Sequence, residues 1–144
     1  MAAAIAPLLI ALASFVLRLV NLGATKGYIF DEVYYVDGAR DLLKYGVEVS
    51  GSNPEFIVHP PVGKWLIAAG IAIFGDNEFG WRFATALVGT LLILVFARLI
   101  HVLFYSPVLT GLGAALMALD GLLLVHSRTA LLDLFLTFFV LLGV

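Results

Sequence analysis

Two adjacent carboxylates, Asp31 and Glu32, and three arginines, Arg18, Arg82 and Arg128, carry most of the chemistry this chain can offer. A carboxylate ionised at neutral pH can accept a proton, and an arginine fork holds phosphate oxygens two at a time. Cations and carboxylates meeting at a lipid interface point to an anionic lipid headgroup beside an acid–base site. Arg18 and Arg82 also lie near the ends of apolar runs, where an arginine can simply snorkel toward water. His59 and His126, with Asp31 and Glu32, are residue types that suit a divalent cation, although no spacing among them resembles a metal box. His59-Pro60-Pro61 also reads as a rigid entry to a helix. Asp120 stands inside an apolar run, where a carboxylate costs about 2.5–3.5 kcal/mol. Such an acid faces a cavity or a partner and marks function, or is a paired structural acid. It lies seven residues before Ser127, so in one helix the two share a face about 10.5 Å apart, and Asp120 points up the groove that Ser127 opens.

The elements that must position these groups are apolar. The chain has 144 residues, of which 62% are apolar and 12% charged. Soluble domains run at about 45–50% and about 25% on similar counts. One small domain has no interior able to hide that much apolar surface, so a soluble globular monomer and a disordered chain are excluded. The net charge of −2 gives no basic field for nucleic acid. Cysteine is absent, which excludes disulfides and thiolate metal sites. Residues 2–22, 83–104 and 108–125 are long enough to cross a hydrocarbon core, at about 31, 33 and 27 Å as helices. A further apolar run covers about 129–144. The run 62–74, which contains Lys64, is only about 20 Å long, a length more typical of interfacial segments. The first run lacks a basic start and a clear cleavage site, so it reads as a retained helix rather than a signal peptide. Within the polar loop 23–82, residues 31–45 read as an amphipathic helix with Asp31-Glu32 in its first turn and Gly46 at its end.

Parity then separates two topologies. If 62–74 spans, Ser127 and Arg128 emerge on the opposite side from Asp31. If it lies in the interface, Asp31, Glu32, His59, Arg82, His126, Arg128 and Asp133 gather on one side. The length argument favours the second. Arg98 and His101 then fall at the other side, which suits a cytoplasmic face. Read this far, the chain is an all-α, polytopic membrane protein with an acidic, arginine-bearing site. An enzyme acting on lipid-linked substrates and a transporter fragment both fit.

Four motifs in fixed order narrow this: Y-I-F-D-E-V-Y-Y at 28–35, V-H-P-P-V-G-K-W at 58–65, E-F-G-W-R-F at 78–83 and S-R-T-A-L-L-D-L-F-L-T-F-F at 127–139. Together they resemble the bacterial protein O-mannosyltransferases, membrane glycosyltransferases of the GT-C class. The H-P-P-x-G-K element separates these from the otherwise similar aminoarabinose transferases. The resemblance implies a GT-C bundle with two interfacial helices in its first extracytoplasmic loop, the second at 62–74. It implies transfer of mannose from a polyprenyl-phosphate-mannose donor to Ser or Thr hydroxyls of an exported acceptor protein, with inversion, at the extracytoplasmic face of the cell membrane. Asp31 would be the general base. Glu32 would orient the site, since neighbours on a helix diverge by about 100°. Arg82, with Arg128 as second candidate, would neutralise the departing phosphate. Arg18, His59, Lys64, Asp120 and Asp133 fall at substrate-binding positions. A divalent metal is an open alternative. Family members run to several hundred residues, so these 144 alone are expected to be inactive. A GT-C enzyme using another lipid-linked sugar and a non-catalytic remnant are the competing readings.

Overall fold

The computed structural model describes residues 2–51, 53–54 and 59–144; Glu55 and Val58, the latter opening the second motif, lie outside the described residues. Its elements are α1 (Ala2–Leu19), α2 (Glu32–Tyr45), a minimal antiparallel hairpin of β1 (Val49–Ser50) and β2 (Asn53–Pro54), α3 (Val62–Phe74), α4 (Glu78–Phe104), α5 (Pro107–Leu119), α6 (Gly121–His126) and α7 (Asp133–Leu142). The molecule is thus mostly helical, and the short hairpin is an addition to the all-α expectation. Among the described residues one helix, α4, is long and apolar enough by itself to cross a membrane; α1, α3, α5 and α7 are shorter apolar helices.

The 27-residue α4, about 40 Å long, is the axis against which α1, α3, α5 and α7 pack. Around its N-terminal half, Trp81, Ala84 and Val88 pack with Val36 and Ala39 of α2, Ile67 and Ile71 of α3, and Leu134 and Phe135 of α7. Around its C-terminal half, Ile93 and Ala97 pack with Ala11 of α1 and Ala114 of α5. Polarity runs inside out. Ile5, Leu8, Leu9, Leu12 and Val16 of α1 are exposed, whereas Ser14, Arg18, Thr85, Thr90 and Ser127 are buried. A soluble monomer does not leave so continuous an apolar face in water, and small or hydroxyl-bearing residues at the contacts are how helices pack in lipid.

Several boundaries differ from the sequence reading, each for a local reason. The helix expected from 83 begins at Glu78, because the Asn77 side chain accepts from Phe79 N and Gly80 N and caps it. Arg82 is therefore inside α4 rather than at its opening. The run 108–125 is not one helix. Asp120, at φ −61° and ψ 120°, ends α5, and its carboxylate accepts from Leu123 N at 2.7 Å to start α6. The acid expected inside a helix is a cap between two helices, and the shared face with Ser127 does not exist. α1 ends at Leu19 instead of 22, where Arg128 takes its last carbonyls. α7 starts at Asp133 instead of 129, because the preceding backbone turns so that Ala130 N–H meets a carboxylate of α2.

Candidate active site

Glu32 is fully buried and accepts four hydrogen bonds from three residues. Arg82 holds it in a fork, with Nε to Oε1 at 2.8 Å and Nη2 to Oε2 at 2.7 Å. Ile29 N–H donates to Oε2 at 2.8 Å and Ala130 N–H to Oε1 at 2.7 Å. Arg82 completes its set on the carbonyls of Leu22, Thr25 and Gly27. All five guanidinium N–H groups are engaged, and the residue is 1% exposed. The pair therefore joins four pieces of chain: the loop after α1, the start of α2, α4, and the link from α6 to α7. A buried charge pair persists only when its remaining lone pairs and protons are satisfied, and here they are. Every Arg82 N–H is already engaged, so a phosphate would reach this guanidinium only by displacing one of these partners.

Asp31 sits one residue earlier with a different environment. It is half-buried at the N-terminal end of α2, makes no capping hydrogen bond, and lines a cavity of about 630 Å³. His59 and Lys64 line the same cavity, with Tyr35, Gly38, Arg40 and Glu48. His59 packs edge-on against Tyr35 at 5.5 Å between ring centres. Burial raises the Tyr35 phenol above its ordinary pKa, and the nearby carboxylates of Asp31 and Asp133 push the same way. His59 and Asp133 also line a second space of about 240 Å³ walled by Val62, Gly63, Leu132, Phe135 and Phe139. His59 thus stands where a polar cavity meets an apolar groove.

The remaining expected residues lie elsewhere. Arg18 is fully buried; its Nε donates to Ser127 Oγ at 2.8 Å and its Nη1 meets Ser14. Gly89 makes room for this contact, because a Cβ there would lie 2.4 Å from that of Ser127. Arg128 donates to the carbonyls of Leu17, Arg18 and Val20 and so caps α1. Asp120, His126 and Asp133 line a separate space of about 360 Å³ between α5, α6 and α7. Among the described residues, no three His, Asp or Glu side chains come together as a metal ligand set.

Three contributors escaped the sequence reading. Arg40 forks onto Asp76 at 2.8 and 2.9 Å, bonds Tyr28 and Asp37, and stacks over Tyr28 and Trp81. The Asp76 carboxyl is held below its ordinary range by hydrogen bonds from Arg40 and Trp81, against the opposing effect of burial. Glu48 forms a buried ion pair with Lys64. No sequence periodicity links these distant partners. Tyr35 was findable, since it follows Asp31 by four residues and an i, i+4 pair shares a helix face.

Residues 58–144 match the family model described as dolichyl-phosphate-mannose-protein mannosyltransferase. The chain is 46% identical over 138 residues to a polyprenol-phosphate-mannose–protein mannosyltransferase of Mycobacterium tuberculosis, covering 92% of this chain and 26% of that protein. The corresponding Corynebacterium glutamicum protein is 39% identical over 118 residues, 78% of this chain and 23% of its own length. An undecaprenyl phosphate-alpha-4-amino-4-deoxy-L-arabinose arabinosyl transferase of Pseudomonas fluorescens is 36% identical over 91 residues, 62% of this chain and 17% of that one. The chain thus spans about a quarter of the length of the mannosyltransferases it matches. No solved structure matches.

Proposed function

This chain belongs to the dolichyl-phosphate-mannose-protein mannosyltransferase family, and we propose from that premise that it forms the catalytic end of a polytopic enzyme of the GT-C class. The full-length protein moves mannose from a polyprenyl-phosphate carrier to a Ser or Thr hydroxyl of an exported protein. The observation that carries this reading is the division between the two acids. Glu32 is consumed by Arg82 and Ala130, whereas Asp31 is left on the wall of the large cavity. A base must reach the attacking hydroxyl with an oxygen free to accept, and of the pair only Asp31 lines the cavity. The hydroxyl oxygen attacks the anomeric carbon, the bond to the carrier phosphate breaks on the opposite side, and the hydroxyl proton passes to Asp31. Configuration inverts.

His59 supports a location for the carrier. A lipid-linked sugar phosphate needs a polar pocket joined to an apolar groove, and His59 lies at that junction. Arg82 has all its N–H groups engaged, whereas Arg128 spends three of its five on carbonyls at the end of α1 and keeps donors that a phosphate could take. The assay is mannose transfer by purified full-length protein, given polyprenyl-phosphate-mannose and a Ser/Thr peptide. Transfer to the peptide is expected. Failure with mannose but turnover with an aminoarabinose carrier would assign the protein to the other relatives' chemistry.

The site belongs on the extracytoplasmic side, with α3 lying in the interface. Arg82 and Arg98 are separated by about 24 Å along α4, so the site and the basic end lie at opposite ends of that helix. A cysteine at Lys26, beside the site, should react with an impermeant thiol reagent on intact cells, and one at Tyr105 should not. Labelling of Tyr105 alone would invert the topology.

A further inference from the structure

We propose that Glu48, held in place by Lys64, is a hydroxyl-binding subsite of the Asp31 cavity. The inference rests on the reading above, because it concerns what the same cavity binds. Among the described residues, four carboxylates line that cavity: Asp31, Asp37, Asp41 and Glu48. Asp37 is paired with Arg40 at 2.7 Å, and Asp41 accepts from Val49 N at 3.2 Å. Glu48 is different. Its side chain is only 6% exposed, Oε2 takes the Lys64 ammonium, and Oε1 is buried without a hydrogen-bond partner among the described residues.

Gly38 of α2 is what lets this pair close the cavity wall. A Cβ at that position would lie 3.0 Å from Glu48 Oε2 and 3.1 Å from Lys64 Cδ. The pair is thus packed between α2 and α3, and the unused oxygen is buried there. A buried acceptor left unpaired is costly, and a ligand that brings a donor removes the cost. The chemistry of that ligand follows from charge. Lys64 already compensates Glu48, so an ammonium gains little, and a phosphate oxygen brings no proton for Oε1 to accept. A neutral alcohol fits: one O–H donated to Oε1. Two sources offer it in this reaction, the transferred sugar and the acceptor side chain.

The test replaces the pair by apolar residues of similar size, Glu48→Leu with Lys64→Met, in the full-length protein. Such exchanges of a buried ion pair are often neutral or stabilising, so folding survives while the acceptor is lost. Thermal unfolding checks this, and Glu48→Gln serves as the second variant. Equilibrium binding of polyprenyl-phosphate-mannose and of a Ser/Thr peptide is measured separately. One of the two dissociation constants should rise about 10- to 100-fold, the loss expected for a hydrogen bond to a charged group. A rise for the carrier identifies a sugar hydroxyl, and a rise for the peptide identifies the acceptor hydroxyl. Unchanged binding of both by the double variant overturns the subsite. Wild type that binds both ligands yet transfers nothing would sink the mannosyltransferase reading while leaving the subsite judged on binding. Wild type that binds neither removes both.

Discussion

Replacing Arg82 with lysine in the full-length protein should sharply lower the amount of folded enzyme, with no selective defect in use of the carrier. A lysine supplies one ammonium where the guanidinium supplies five directed bonds, to Glu32 and to the carbonyls of Leu22, Thr25 and Gly27. Glu32 would be left buried with half its fork empty. Breaking a buried pair on one side costs about 3–5 kcal/mol, a large part of a typical folding free energy. Detergent thermal unfolding and accumulation in membranes measure the effect. A variant that folds normally and fails only in carrier use would return Arg82 to the phosphate and contradict its role as a junction.

Asp31→Asn should do the opposite. The side chain makes no capping bond, and asparagine keeps its shape, so folding and carrier binding should persist. Turnover should fall by about 10²–10⁴, because the proton acceptor is gone. Near-normal transfer would show that another group takes the proton.

Much of this was legible in the residues, and the part that was not has a common cause. Apolar runs locate helices, and four ordered motifs identified the family that the comparisons also find. Hydropathy, however, is blind to caps. It read through Asp120 as though the helix continued, whereas a single bond to Leu123 N breaks it there. It also missed the turn of helix before Phe83, because Asn77 and Glu78 are polar yet begin α4. The adjacent acids were visible as a pair, and helical geometry already set them on different faces. Which of them was free was not visible, since Arg82 is 50 positions from Glu32 and Ala130 is 98. Contacts that distant leave no period in a single sequence. The same holds for Lys64: its motif marked it as a substrate residue, while its partner Glu48 carried no sequence signal.

In the proposed mechanism the two neighbouring carboxylates do separate work, Asp31 in the reaction and Glu32 in the frame. The most direct measurement compares Asp31→Asn and Glu32→Gln full-length protein side by side for melting temperature and for single-turnover mannose transfer per folded molecule. Asp31→Asn should melt like wild type and transfer at least a hundredfold more slowly. Glu32→Gln should melt well below wild type, with its surviving folded fraction closer to normal turnover. A Glu32→Gln protein that is stable and inactive, beside an Asp31→Asn protein that still transfers, would contradict the assignment outright.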